Sequence, residues 1–197
     1  MKKVLKKDSE NMLILASNSP RRKEILEMLG YEFEIRPTDA DENIGEMSPK
    51  KTVEELSLRK ALAAERKAED IVIGSDTIVC LDDEILGKPK NDADAKRMLS
   101  KLSGRAHTVY TGVTILQGEK IITNAISAKV YFRELTQREI ERYVSTGEPL
   151  DKAGAYGIQG KGAAFIEKID GDYYAVMGLP ACYVSKTLSE IEYFPKG

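Results

Sequence analysis

The chain of 197 residues is 42% hydrophobic and 31% charged, a composition that supports one sizeable core, and no apolar run approaches the length of a transmembrane helix. Thirty Lys and Arg against 32 Asp and Glu leave a net charge of −2, so no global positive field favours duplex DNA or an anionic membrane, and any anion site must be local. Two cysteines exclude a disulfide framework and a thiolate zinc site, one histidine excludes a multi-histidine metal site, and the reducing cytoplasm is the expected compartment.

Residues 1–11 open on MKKVLKK and read as a flexible basic tail; the apolar run MLILA behind it is too short for a signal-peptide core. Residues 12–17 form a buried-type strand, after which Ser19 and Pro20 give the N-cap and first position of a helix reaching Gly30. A second strand covers 32–36, and Pro37 begins the acidic loop TDADENIGE. A helix over 48–67 carries Val53, Leu56, Ala63 and Ala64 on one stripe. DIVIGSDTIVCLDDEILGKP, residues 70–89, reads as a strand leading into a hairpin through LDDE. Asn91 and Asp92 open a helix ending near Ser103 and Gly104, HTVYTGVTIL and KIITNAISAKVYF pair around QGE, and Thr136 caps QREIERYVS. The remainder is glycine-rich, with a strand pair around IDGDY and a last helix over about 180–191. Early alternation of helices and strands followed by hairpins predicts a single α/β domain over 1–197, built on an elongated mixed sheet flanked by helices.

Several residues break local rules. Arg21, Arg22 and Lys23 sit in the first turn of a helix, where cations oppose the macrodipole at a cost of about 0.3–1 kcal/mol each. A bound phosphate would reverse that sign, joining free helix amides to forked guanidinium groups. For Arg22, which shares a helical face with Ile25, Leu26 and Leu29, snorkelling over apolar surface or pairing with Glu24 or Glu27 is the alternative. Asp76 lies inside the apolar run IVIGSDTIV, where a charge is costly unless paired or functional. It could take a proton from water or hold a divalent metal, or it could close a turn. Asp39, Asp41 and Glu42 are a second source of carboxylates; Lys60 interrupts a helical stripe, and Lys88 precedes a proline. Both lysines could serve a phosphate as point charges. Gly154, Gly157, Gly160 and Gly162 would allow close backbone approach to a ligand, with Tyr156 and Gln159 beside them, but no Walker sequence is present. Serine or cysteine catalysis would have to rely on His107, and Cys80 has no evident partner, so a carboxylate with an oxygen-ligated metal fits the inventory better.

SNSPRR at 17–22, GSDTIV at 74–79, GKP at 87–89, KLSGRAHTVYTGV at 101–113 and GEPLDKAGAYGIQGKG at 147–162 occur in one order and register. In them the chain closely resembles the Maf family of nucleoside triphosphate pyrophosphatases. The resemblance implies a fold similar to the inosine triphosphatase-like enzymes, with two lobes and a central cleft. It also implies release of pyrophosphate from a nucleoside triphosphate with a divalent cation, Mg or Mn. Carried over, it implies Asp76 as the proton acceptor and, with the acidic-loop Glu42, a metal ligand, and Ser17, Ser19, Arg21, Arg22, Thr77, Lys88 and Gln159 in their motif blocks, with Lys60 by its helix context, as substrate-binding. Arg22, Thr77 and Gln159 match the branch preferring dTTP and UTP over the one acting on 7-methylguanosine triphosphate. A glutamine offers both donor and acceptor to a uracil or thymine edge. Modified pyrimidine nucleotides as substrates, a nucleotide-sensing regulator linked to septum formation, and a homodimer remain open; nucleic acid and membrane partners are not expected.

Overall fold

The computed structural model describes residues 11–195, and the basic tail expected over residues 1–11 falls almost wholly outside them. The strands are β1 (Leu13–Leu15), β2 (Glu34–Ile35), β3 (Ile71–Leu81), β4 (Glu84–Leu86), β5 (Ala106–Gln117), β6 (Lys120–Phe132) and β7 (Ile166–Gly171). They form one mixed sheet in the order β2-β1-β3-β5-β6-β7, with β4 also paired to β3. β1 runs parallel to β2 and β3, and the other pairings are antiparallel. The helices are α1 (Pro20–Met28), α2 (Pro49–Ala63), α3 (Asp92–Leu102), α4 (Gln137–Val144), α5 (Tyr173–Met177) and α6 (Ala181–Glu190). The mixed sheet with flanking helices is the architecture the alternation of elements predicts. No helix among the described residues is long and apolar enough to cross a membrane.

β3 organises the cleft. Its edge opposite β5 is occupied by β1 at Ile71–Ile73 and by β4 at Val79–Leu81. Residues 74–78 between them have no strand neighbour on that edge, and β1 leaves the ladder after the Ala16 amide bonds the Ile73 carbonyl at 2.9 Å. The interrupted edge opens a gap in the sheet at Asp76. Side chains alternate along a strand, so Ile71, Ile73, Ser75, Thr77, Val79 and Leu81 share one face. Its two ends join different cores. Ile71 and Ile73 pack with Ile25, Leu26, Val113, Ile115 and Val184, whereas Val79 and Leu81 pack with Leu99, Val109, Val130, Phe132 and Ile140. The polar middle, Ser75 and Thr77, lies between the two clusters and pairs in register with Val113 and Thr111.

On the other face α2 lies directly on the backbone. A Cβ at Gly74 would stand 2.3 Å from the Ser57 carbonyl oxygen, and one at Gly112 would stand 2.0 Å from that of Val53. Only glycine admits such an approach, and it brings the α2 side chains down onto the Asp76 position.

The end of α2 and the pairing around IDGDY depart from the pattern-based expectation. α2 ends at Ala63 instead of Lys67 because Ala64 turns extended and Arg66 Nη1 donates to the carbonyls of Leu62 and Ala64, supplying partners outside the helix. No strand pair forms around IDGDY. β7 pairs with β6 instead, Gly171 turns at φ +127°, and Asp172 Oδ1 accepts from the amides of Tyr174 and Ala175, capping α5. A short polar side chain before an apolar run is a helix start as well as a turn, and here the cap prevailed.

Candidate active site

A cleft of about 660 Å³ opens at the gap in the sheet, within the size range of small-ligand pockets. Its walls come from the loop between β1 and α1, the loop after β2, the β3 middle, the segment after β4, residues 151–158 and the end of α5. Five basic side chains line it, Arg21, Arg22, Lys60, Lys88 and Lys152, against three acidic ones, Glu42, Asp76 and Asp151. A chain with a net charge of −2 thus concentrates positive charge in this cleft.

The cations of α1 divide by role. Arg22 is half-buried: Nε donates to the Gly178 carbonyl at 2.9 Å, Nη1 to Ser17 Oγ at 2.9 Å, and Nη2 to Thr77 Oγ1 at 3.3 Å. Three of its five N–H groups are therefore engaged and two remain for a ligand. Burial lowers its pKa from the usual arginine value and the Asp76 charge opposes that shift. Arginine stays charged nonetheless. Arg21 lines the cleft with Nη1 3.7 Å from Asp151 Oδ2. Lys23 points elsewhere, 3.5 Å from Glu27 one turn on. Ser19 occupies the N-cap without a side-chain cap bond; instead Ser17 Oγ accepts its amide at 3.2 Å. The first turn of α1 thus faces the cleft, in the arrangement that suits an anion.

The floor is a polar network absent from the motif reading. Thr77 Oγ1 and Thr111 Oγ1 are 2.9 Å apart, Thr111 donates to the Ala175 carbonyl at 2.7 Å, and Ser75 Oγ lies 2.9 Å from the carbonyls of both Gly112 and Gly178. These bonds tie β3 and β5 to α5 beneath Arg22. The signal available in the sequence was Thr111 breaking the apolar face of β5, and it points to a partner only once Thr77 lies opposite.

Asp76 and Lys60 form the centre. Lys60 Nζ lies 2.6 Å from Asp76 Oδ1 and 2.8 Å from Glu42 Oε1, so a single ammonium bridges both carboxylates. The side chains of Lys60 and Asp76 are 15% and 12% exposed, whereas that of Glu42 is 66% exposed, which places the pair on the floor and Glu42 at the rim. Lys60's hydrogen bond holds the Glu42 carboxyl below the usual range, with Lys88 and Arg22 adding to the effect. Two carboxylates converging on one cation, with oxygen donors only, fit a hard divalent ion such as Mg or Mn, which takes one or two protein carboxylates and completes its shell with phosphate and water. No group of three or more His, Cys, Asp and Glu able to hold a metal occurs among the described residues.

Other sequence-based candidates fall in different places. Lys88 lines the cleft and is exposed. Gln159 is exposed and lies outside the cleft lining, its Nε2 3.4 Å from Glu24 Oε2, although its neighbour Ile158 lines the wall. Gly157 lines the cleft, but Gly154 is pressed against Val79, and Gly160 and Gly162 against Glu148 and Tyr143, so much of this glycine run serves packing instead of ligand approach. Cys80 is buried with its thiol pKa pushed up by desolvation, which leaves it inert. His107 is buried against Tyr156, Nε2 to Oη 2.8 Å, and its pKa is lowered by burial to about 4. It is therefore a neutral packing residue behind a cleft wall that Tyr156 forms.

The family described as Maf-like protein matches residues 12–191. The chain belongs to the Maf family. This Maf protein is 50% identical over 194 residues to a Bacillus cereus relative named dTTP/UTP pyrophosphatase, covering 96% of the chain and 94% of the relative. It is 52% identical to Bacillus cytotoxicus and Bacillus anthracis proteins of the same name, covering 93% and 92% of the chain and 96% and 95% of those relatives. Its fold is similar to that of a HAM1 protein from Coxiella burnetii, with a TM-score of 0.52 at 14% identity, covering 91% of this chain and 99% of that one.

Proposed function

We propose that this Maf protein hydrolyses dTTP and UTP to the nucleoside monophosphate and pyrophosphate in the cytoplasm, as a single domain that removes unwanted nucleotides. The observation that carries the proposal is the Lys60 ammonium bridging Asp76 and Glu42 beneath an arginine-lined cleft, in a chain half identical to relatives named for that activity.

The triphosphate would lie against Arg21, Arg22, Lys60 and Lys88, with Ser17 and Ser19 and the free amides of α1 receiving its oxygens. As Lys60 shifts onto phosphate, Asp76 Oδ1 is left to accept a proton from the attacking water. Water adds across the phosphoanhydride, and pyrophosphate leaves with the bonding electron pair. A divalent Mg or Mn held by Glu42, Asp76 and substrate oxygens would supply charge neutralisation at the phosphoryl oxygens. Arg22 and Thr77 are hydrogen-bonded to each other, so two of the three selectivity positions act as one unit; Gln159, beyond Ile158, would contribute the base-reading amide by turning from Glu24. Free Cys80 and Cys182 support a reducing compartment.

The test is pyrophosphate release from common and modified nucleoside triphosphates with Mg or Mn, using wild type and Asp76→Asn. Turnover of dTTP and UTP with a loss of at least a hundredfold in the variant is expected. Tight dTTP binding without turnover by the wild type would favour the nucleotide-sensing regulator instead. Preference for a modified pyrimidine would move the physiological substrate there.

A further inference from the structure

Glu42 has an unusual placement for a residue with a chemical task. It lies in a stretch with no helix or strand between Ile35 and Pro49, and its side chain is two-thirds exposed, so packing does not hold it. Yet its carboxylate comes within 2.8 Å of Lys60. Something must fix the main chain around it, since ordering a free loop residue costs about 1–2 kcal/mol.

Arg59, the neighbour of Lys60 on α2, meets that need. Its Nη1 donates to the carbonyl of Asp41 at 3.1 Å and to that of Asn43 at 3.0 Å, the two residues flanking Glu42. The turn is closed from within by Asp41 Oδ1, which accepts the Asn43 amide at 2.8 Å. Arg59 is itself braced, Nε donating to Glu55 Oε1 at 2.7 Å one turn earlier. A rigid planar guanidinium can hold Glu55 and both carbonyls in one geometry; an ammonium cannot. Consecutive residues of one helix thus act on the same glutamate, Arg59 on its backbone and Lys60 on its carboxylate.

We infer that Arg59 is a positioning residue for Glu42: it clamps the Asp41–Asn43 turn so that the Glu42 carboxylate stands ready beside Asp76 for a divalent cation. The inference rests on the proposed reading of Glu42 as a metal ligand and adds to it a residue that touches neither substrate nor metal. Outer partners of metal ligands typically affect metal affinity by 10- to 100-fold, and the clamp acts through the backbone at the low end of that range.

The experiment measures Mn²⁺ affinity directly, from the EPR signal of free Mn²⁺ in the presence of a dTTP analogue with a non-cleavable α–β bridge, for wild type, Arg59→Ala, Arg59→Lys, Glu42→Gln and the double variant Arg59→Ala/Glu42→Gln. The same variants are assayed for the Mn²⁺ concentration needed for half-maximal dTTP hydrolysis. Arg59→Ala should weaken Mn²⁺ binding about tenfold, with kcat at saturating Mn²⁺ largely restored. Arg59→Lys should be intermediate and the double variant no worse than Glu42→Gln. Unchanged Mn²⁺ affinity in Arg59→Ala, with Glu42→Gln impaired, would overturn the positioning role. Additive losses in the double variant would overturn it too, because Arg59 would then act elsewhere. Unchanged affinity in Glu42→Gln would remove Glu42 from the metal site, and the Arg59 inference with it.

Discussion

Arg22→Lys keeps the cleft charge and removes the fork, and it separates what Arg22 does for the fold from what it does for a triphosphate. The stability cost is bounded by what its partners retain. The Gly178 carbonyl keeps the Ser75 hydroxyl at 2.9 Å, Thr77 Oγ1 keeps Thr111 at 2.9 Å, and Ser17 Oγ keeps the Ser19 amide at 3.2 Å. Each partner atom keeps one hydrogen bond, Thr77 as the donor to Thr111, so the loss should be about 1–2 kcal/mol, well below the sum of three charge-assisted bonds. At about 2–4 °C per kcal/mol for a chain of this size, Tm should fall by roughly 2–8 °C. Activity should suffer more. Losing a forked, charge-assisted phosphate contact of about 1.5–3 kcal/mol lowers kcat/KM for dTTP by roughly 10- to 150-fold. The assay is pyrophosphate release at saturating metal, paired with thermal unfolding of the same preparation. A variant within threefold of wild-type kcat/KM would refute the argument, because charge alone would then suffice where the geometry demands direction.

Three further outcomes follow from individual contacts. Gly112→Ala drives a Cβ to 2.0 Å from the Val53 carbonyl oxygen, and ordinary contact begins near 3.4 Å, so α2 must retreat by about 1.4 Å. Overpacking should cost about 1–3 kcal/mol, and kcat should drop as Lys60 withdraws from Asp76; an unchanged Tm would show that α2 does not rest on this strand. Burial holds His107 neutral with its pKa lowered from 6.5 to about 4, so the unfolded chain binds the extra proton and stability falls as pH drops from 6.5 towards 4. The contribution is at most about 3 kcal/mol, and urea unfolding of wild type should lose roughly half of that stability between pH 6.5 and 5, and the rest towards pH 4 and below, while His107→Gln shows a flatter profile; parallel profiles would contradict it. Gln159→Ala should leave Tm unchanged, since the side chain is exposed with a long 3.4 Å contact to Glu24, and should erode the preference for dTTP and UTP over purine triphosphates. An identical substrate profile would take Gln159 out of base reading.

Much of the site was legible because its residues violate local rules. Cations in the first turn of α1 and a carboxylate inside an apolar strand each carry a local cost, and the cleft gathers Arg21, Arg22 and Asp76 where those costs turn into interactions with one another or with an anion. Lys23 broke the same rule and pairs with Glu27 on its own helix. The Asn91 and Thr136 caps lie where the side-chain chemistry put them, because a cap is decided within four residues of chain. The strand pair expected around IDGDY failed for the converse reason: β6 offered β7 a long ladder, and Asp172 was better used at a helix start.

By itself the sequence determined the alternation of elements, the Asn91 and Thr136 caps and the chemical types present, since periodicity and residue chemistry act over short range. Only the tertiary structure decided that β1 and β4 stop on either side of residues 74–78 and leave the cleft there, that Gly74 and Gly112 let α2 descend onto the sheet, and that Lys60 therefore joins Asp76 to Glu42. The roles of Thr111, Ser75, Gly178 and Arg59 belong to the same class. Each depends on a partner distant in the chain, and which distant residue lies opposite is set by sheet register and helix packing, not by any local preference.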